Sequence, residues 1–313
     1  MKTEMLSTVL DPTTVGEFIT ENLYQELAQN FRAKFSSEAR FVNLSKSAVE
    51  TVLSDSDVSG IKFMNGLTDV NDPSSRILVL IPANYTMNNS LPNAVIKKDG
   101  FITNTGEVIS LEKTWQVLFN HVLNFKKLDA GMHYTKINRG SFLGRKLLTA
   151  LAEETGNDNL IYTFGYNIEM NYPYKALIQP ETNAFLIGDQ SFPCPGSSGC
   201  PGTSTSSDPC ALTRIATNFA GEEADGQLNV LRGFRDKILQ EKFNGAEIEK
   251  YYTISSSLLE AIDKEQNKAV IFKGIYDKYI QPSITSINNN DEATAYSLFQ
   301  EAMQHLTDTY LYQ

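Results

Sequence analysis

The chain of 313 residues contains only three cysteines, three histidines and one tryptophan, and it has no long apolar run. No window approaches the roughly 18 to 20 consecutive apolar residues needed to cross a bilayer, so we expect no membrane span. Residues 1–14 hold one lysine, an early glutamate and no continuous apolar core, which is unlike a secretory signal. We therefore expect a soluble protein that is cytoplasmic as synthesised. Export by a route that needs no cleaved signal is the open alternative.

A basic region is also missing. Residues 1–210 hold 17 Lys and Arg against 22 Asp and Glu, and residues 211–313 hold 10 against 15, within a net charge of −10. The longest basic runs are Lys97-Lys98 and Lys126-Lys127. Because nucleic-acid binders neutralise phosphates with clustered cations, this distribution excludes nucleic acid as an expected partner. It disfavours attraction to an anionic membrane surface for the same reason.

Motifs that bind phosphates or carry nucleophiles are absent as well. The sequence has no Gly-x-Ser-x-Gly elbow, no Walker phosphate loop, no Gly-x-Gly-x-x-Gly and no His-Glu-x-x-His. Paired carboxylates such as Glu153-Glu154 lie at or near predicted helix ends, where they interact with the helix dipole or with solvent. No complete catalytic set is present, so an enzyme is not the favoured hypothesis.

One low-complexity segment divides the chain. Residues 191–210 read SFPCPGSSGCPGTSTSSDPC and contain all three cysteines. Such a composition cannot bury enough apolar surface to offset the entropy of ordering it. We therefore predict an α+β domain over residues 1–189, a linker over residues 190–210 and an all-α domain over residues 211–313.

The first half combines patterns typical of helices and of strands, which predicts the α+β class. Capping boxes predict helices that begin near Thr14 and Ser47, and Ser110 caps a third helix with a wide apolar face. A fourth helix is predicted over Ser141–Thr155. The predicted strands are Gly60–Met64, Arg76–Pro82, Leu160–Tyr166, Tyr174–Gln179 and Ala184–Ile187, with a tight hairpin over Ile102–Ile109.

The second half shows only the helical period of about 3.6 residues. One helix is predicted over residues 228–239. A second covers residues 248–262, either continuous or broken at its serine run. A third begins near Val270 and stops at Pro282, and Asp291 caps the last helix.

Four short blocks stand in order over residues 210–262: Ile215-Ala-Thr217, Gly221, Leu231-Arg-Gly-Phe-Arg-Asp236 and Tyr251-Tyr-Thr-Ile-Ser255. They resemble the bacterial CFI-box C-terminal domain family, which has a Cys-Phe-Ile-Ala-Thr opening, a Leu-Arg-x-Phe-Arg-Asp helix and a Tyr-Tyr segment before Ser-Pro. The family's opening cysteine and phenylalanine fall on Thr213 and Arg214 here, and its proline falls on Ser256. The resemblance implies a bacterial source and a helical C-terminal module, and it implies no reaction.

The cysteines leave three alternatives open. Cys194, Cys200 and Cys210 are weak candidates for a metal site, since structural zinc is usually held by four ligands in closely spaced pairs. A Cys194–Cys200 disulfide would form only outside the reducing cytosol. Inert thiols in a linker are the favoured interpretation, so no cofactor is expected, with zinc as the alternative.

The histidines suggest one weak binding site. His133 begins a polar loop with Lys136 and Arg139 that would suit an anion or a partner's carboxylate. His121 lies beside the apolar face of a helix, where a structural histidine is a better interpretation than a catalytic one. His305 is interpreted as a surface residue of the last helix.

Arg232 and Arg235 flank a phenylalanine that is expected to be buried. They could hold the next helix in place or bind a partner's carboxylate, and Arg232 could pair with Asp236 one helical turn away. The leading hypothesis is a non-enzymatic protein-binding or structural accessory protein of a bacterial assembly. The alternative is a secreted or cargo effector, or an enzyme, with a site in the His133–Arg139 loop or in the cysteine loop. The partner and the oligomeric state are open.

Overall fold

Antiparallel strand pairing organises the N-terminal part of the chain, and the described C-terminal part is helical. The computed structural model describes residues 12–84, 93–95, 99–128, 137–155, 159–169, 172–181, 187–189, 192–195, 215, 219, 224–239 and 246–312. An α+β region followed by an all-α region is therefore confirmed for these residues.

Two antiparallel sheets form the N-terminal region. The five-stranded sheet has the order β1 (Glu17–Ile19), β11 (Ile187–Asp189), β10 (Tyr172–Pro180), β9 (Leu160–Asn167) and β2 (Phe41–Leu44). The seven-stranded sheet has the order β12 (Phe192–Pro195), β8 (Asn138–Gly144), β3 (Gly60–Leu67), β4 (Arg76–Asn84), β6 (Phe101–Thr103) and β7 (Val108–Ile109), with β5 (Asn93–Ala94) paired to β4.

Helices flank and connect these sheets. The N-terminal helices are α1 (Glu21–Lys34), α2 (Lys46–Leu53), α3 (Leu111–Leu128) and α4 (Arg145–Glu154), and short 3-10 turns cover Pro12–Thr14 and Pro73–Ser75. The C-terminal helices are α5 (Ala224–Gly233), α6 (Ala246–Asp263), α7 (Lys268–Ile275), α8 (Gln281–Asn288) and α9 (Glu292–Tyr310). Two π-helical segments, Phe234–Leu239 and Tyr276–Ile280, extend α5 and α7.

The predicted first helix begins too early. Gly16 has a φ of 100°, and residues 17–19 pair with β11 instead of continuing a helix from Thr14. The Thr20 side chain then accepts a hydrogen bond from the Leu23 backbone amide at 3.4 Å, which starts α1 at Glu21. The positive φ of Gly16 and the pairing of β1 with β11, about 170 residues further along the chain, thus override the local capping pattern.

The predicted helix over residues 141–155 is also wrong at its start. Residues 138–144 form β8, which lies between β3 and β12, and α4 begins only at Arg145. Gly140 explains the difference, because a Cβ atom there would collide with the backbone carbonyl of Phe63 in β3. Gly140 thus serves close strand packing, whereas Gly144 ends β8 and is the N-cap residue of α4.

Pro282 does not end the third C-terminal helix as predicted. It lies in the first turn of α8, directly after the Tyr276–Ile280 π segment, so the helical run continues from Lys268 to Asn288. A proline lacks the amide hydrogen and clashes with the carbonyl four residues before it, and the wider π turn accommodates both effects. The serine run at residues 255–257 does not interrupt α6.

Several predicted elements are confirmed. The β3 and β4 strands, the hairpin around Asn104–Gly106 and strand β9 lie where the patterns place them. The Ser110 hydroxyl caps α3 by accepting from the Lys113 amide at 3.2 Å, and Asp291 caps α9 by accepting from Thr294 at 3.1 Å. Only Ile187 of the predicted strand Ala184–Ile187 lies within the described residues, and it begins β11.

Apolar side chains from both regions belong to one contiguous core. Helix α6 contacts α3 and β5, which brings the C-terminal helices against the N-terminal region. The predicted boundaries at residues 189 and 210 stay predictions, although β12 shows that the low-complexity segment begins inside the seven-stranded sheet. No described helix combines the length and apolar character required of a membrane span.

Candidate functional site

Of the three residues predicted to form an anion site, only Arg139 lies within the described residues, and it does not lie in a loop. Arg139 lies in β8, is only 2 % exposed and donates a hydrogen bond to the Ile137 carbonyl at 3.3 Å. Its predicted position in a polar loop is therefore wrong, because β8 begins at Asn138. His133 and Lys136 lie outside the described residues.

The cysteine candidates are only partly described. Cys194 lies in β12, where its backbone faces Gly140 of β8, and Cys200 and Cys210 lie outside the described residues. Within the part of the chain that the structure describes, no group of three or more His, Cys, Asp or Glu side chains could hold a metal ion. The zinc and disulfide alternatives stay predictions.

A buried polar network joins the two sheets and α3. The Glu38 carboxylate pairs with the Arg76 guanidinium, and both side chains are fully buried. The same carboxylate accepts hydrogen bonds from the Tyr174 hydroxyl at 3.0 Å and from the Asn124 amide at 2.9 Å. The Arg76 guanidinium also lies 4.8 Å from the centre of the Tyr174 ring, in cation–π geometry.

His121 completes this network as a neutral base. Arg76 Nη1 can only donate, so Nδ1 of His121 accepts at 3.1 Å, and its Nε2–H donates to the Asn138 carbonyl at 3.0 Å. Burial, followed by the nearby Arg76 charge, holds the pKa of His121 well below its ordinary value. Burial likewise raises the pKa of the Tyr174 hydroxyl. The Glu38 carboxylate and the Arg76 guanidinium thus pair within the network, and a second buried arginine, Arg139, also lowers the pKa of His121.

The network contains the residue types of a catalytic site. Unlike a catalytic site, it is closed to solvent. Glu38, Arg76 and His121 are all buried, so they cannot touch a substrate from solvent. Tyr174 adopts a φ of 58° at an irregularity in the β9–β10 pairing, a strained conformation that the network holds in place. The buried network therefore holds the two sheets and α3 together. This arrangement agrees with the interpretation of His121 as a structural residue.

An apolar groove in the C-terminal helices is the accessible candidate site. It has a cavity volume of about 90 Å³ and is lined by residues of α5, α6, α8, α9 and both π segments. Its apolar lining residues are Leu228, Leu231, Phe234, Leu239, Ile248, Tyr251, Tyr279, Ile280, Ala295, Leu298, Phe299 and Ala302. Because almost all of this lining is apolar, the groove suits an apolar group.

Both predicted arginines line this groove. Arg232 is exposed, and its Nη1 lies 3.5 Å from the Asn229 side-chain oxygen, while Arg235 is partly buried in the first π segment. The Asp236 side chain lies outside the described residues, so the predicted Arg232–Asp236 pair stays a prediction. The sequence therefore indicated two groove residues, although it gave no signal for the groove itself.

The π segments shape the groove walls. Phe234, Arg235 and Leu239 come from the first segment, and Tyr279 and Ile280 come from the second. π-Helical turns are rare and occur frequently at functional sites, since they reorient side chains relative to the flanking helix.

A partly buried hydrogen-bond cluster connects the helices around the groove. The Tyr276 hydroxyl lies 2.9 Å from the side-chain oxygen of Gln227 in α5 and 2.8 Å from that of Gln281 in α8. These contacts tie α5 to the start of α8 and fix the spacing of two groove walls.

Comparisons with models of known protein families, with curated proteins and with solved structures give no significant match. The CFI-box resemblance therefore stays a prediction. Of its opening block, Ile215 is described and fully buried in the core, and Ala216, Thr217 and Gly221 lie outside the described residues.

Proposed function

We propose that the chain is a non-enzymatic protein-binding protein that receives an apolar side chain of a partner protein in the C-terminal groove. The single observation that carries this proposal is an accessible apolar groove whose rim holds two arginines. Apolar lining favours burial of an apolar group, and guanidinium groups beside it favour a partner that also presents a carboxylate.

The distribution of polar groups supports binding over catalysis. The acid, the base and the hydroxyl that lie close together, Glu38, His121 and Tyr174, are locked in a buried network. Among the groove residues, Tyr251, Tyr279 and Ser283 supply hydroxyls, and no carboxylate or histidine of the described residues lines the cavity. The described groove residues therefore do not include the acid–base pair that general acid–base catalysis needs.

The test is quantitative co-purification from native cells. Ala302, which lines the groove, is replaced by Phe to fill it, and Leu298→Asn provides a second variant on the half-buried rim. The control is Val270→Asn, a substitution at an α7 side chain that is 70 % exposed and does not line the groove. Matched circular-dichroism melting curves identify variants that remain folded.

We expect a stoichiometric partner with the wild-type protein and with Val270→Asn, and its loss with either groove variant. Partner recovery that is equal for folded groove variants and control would overturn the proposal.

A further inference from the structure

We infer that at least one internal water molecule binds between the two sheets, where it bridges the Asn65 side chain and the Arg76 guanidinium. This site lies in the N-terminal region and is independent of the C-terminal groove.

Asn65 is a buried amide without a protein partner. It lies in β3 and has no exposed surface. Neither its Oδ1 nor its Nδ2 has a hydrogen-bond partner among the residues that the structure describes. An unpaired amide is costly to bury, and native proteins pair the large majority of such groups with protein or with ordered water.

The Asn65 side chain points into the layer between the sheets. Side chains alternate along a strand, so Asn65 shares its face of β3 with Phe63 and Leu67. The centre of the Phe63 ring lies 5.6 Å from that of the Tyr162 ring in β9, which belongs to the five-stranded sheet. The amide therefore lies where the two sheets face each other.

Arg76 places a further donor in the same layer. It lies opposite Leu67 in the β3–β4 pairing, two residues beyond Asn65, and is therefore the diagonal neighbour of Asn65. Diagonal neighbours across an antiparallel pair are about 7–8 Å apart, within reach of long side chains. The guanidinium lies 5.4 Å from the centre of the Phe164 ring in β9. Its Nη atoms bond within the buried network, whereas its Nε–H has no hydrogen-bond partner in the described part of the chain.

Water is the ligand whose chemistry fits both groups. The Asn65 Oδ1 needs a donor, whereas the Nδ2–H groups of Asn65 and the Nε–H of Arg76 need acceptors. A water molecule donates and accepts at once, and buried waters typically make about three hydrogen bonds to such groups. A halide ion can only accept, so it would leave Oδ1 unpaired. The bridging water also completes the hydrogen bonding of the buried Arg76 side chain, a condition for a stable buried ion pair.

The experiment counts long-lived internal waters in the full-length protein by oxygen-17 relaxation dispersion of the water signal. Asn65→Leu removes the amide and leaves an apolar side chain of similar length. The matched control is Asn43→Leu, the same substitution at an exposed position of strand β2. Matched circular-dichroism melting curves identify variants that remain folded.

We expect Asn65→Leu to lose at least one long-lived water molecule relative to the wild-type protein, and Asn43→Leu to lose none. An equal count in folded Asn65→Leu and wild type would overturn the inference.

A crystal structure of the wild-type protein decides the same point if Asn65→Leu does not fold. We expect a water molecule within about 2.7–3.2 Å of both Asn65 Oδ1 and Arg76 Nε. Well-ordered density without a water at this position, or a direct hydrogen bond from Asn65 to a protein group, would overturn the inference.

Discussion

Neutralising Glu38 should be one of the most damaging single-atom changes in this protein. In Glu38→Gln the shape is kept, but the buried Arg76 guanidinium loses its negative partner. Tyr174 donates to one carboxylate oxygen at 3.0 Å and Asn124 to the other at 2.9 Å, and the amide of glutamine keeps an acceptor for only one of these two donors. Breaking a buried ion pair from one side costs about 3–5 kcal/mol, a large part of a typical stability of about 5–15 kcal/mol.

Urea unfolding measures this loss. With an m value of about 3 kcal/mol/M, Glu38→Gln should lower the midpoint by about 1–1.7 M. The matched control is Glu50→Gln, because the Glu50 side chain is 55 % exposed and lies 3.6 Å from Lys46. A surface pair of this kind contributes about 0–1 kcal/mol, so the control midpoint should change little.

A second variant with a smaller expected effect tests the same network if Glu38→Gln does not fold. Tyr174→Phe removes only the hydroxyl that donates to Glu38, and the loss of a hydrogen bond to a charged group should cost about 1.5–3 kcal/mol. Losses no larger than that of Glu50→Gln in both network variants would refute the assignment of this network as the link between the sheets.

Three further predictions concern stability. The folded protein holds the pKa of His121 low, so the unfolded chain binds a proton that the native state does not bind. Stability from this group is complete above pH 6.5 and falls by about 1.4 kcal/mol per pH unit below it, and His121→Gln should show a flatter profile in urea titrations at pH 5.5 and 7.5. Gly106→Ala should destabilise the protein by about 1 kcal/mol because the φ of Gly106 is 89°. Gly274 lies in a helix with free space for a methyl group, so Gly274→Ala should stabilise the protein by about 0.5–1 kcal/mol. Melting temperatures that shift in the same direction in both variants would contradict this prediction. Asn104→Ala should lower the free energy of unfolding in urea by about 2–3 kcal/mol. The Asn104 side chain accepts from the Leu78 amide at 3.0 Å and donates to the Asn43 carbonyl of the other sheet at 2.8 Å. A loss under about 0.5 kcal/mol would contradict the role of Asn104 as a link between the sheets.

Elements whose causes are local could be predicted from the sequence. Helix α3 has a serine cap and a wide apolar face, and α9 has an aspartate cap, so capping and period agree there. Strands β3 and β4 are apolar runs separated by a turn-rich segment, and they pair as neighbours along the chain.

Elements whose causes are distant could not be predicted. Strand β1 exists because Glu17–Ile19 pairs with residues 187–189, and β8 exists because it fits between β3 and β12. The buried network unites Glu38, Arg76 and Tyr174 from positions far apart in sequence, and none of them stands in a recognisable motif. Sequence patterns report local preference, whereas these features depend on long-range packing.

The candidate site likewise has one part that could be predicted from local sequence and one part that depends on long-range packing. Arg232 and Arg235 could be singled out because they flank Phe234 at helical spacing. The groove beside them depends on α6, α8 and α9 and on two π segments, none of which has a pattern that distinguishes it from an ordinary helix.

The central claim is that a partner protein occupies the C-terminal groove, and site-specific photo-crosslinking in native cells tests it most directly. A photoreactive amino acid replaces Leu231 on the groove wall or, as the control, the exposed Val270 outside it. We predict one dominant crosslinked protein from position 231 that is absent from position 270 and lost when Ala302→Phe fills the groove. Identical crosslinking from both positions, or none from position 231, would contradict the claim.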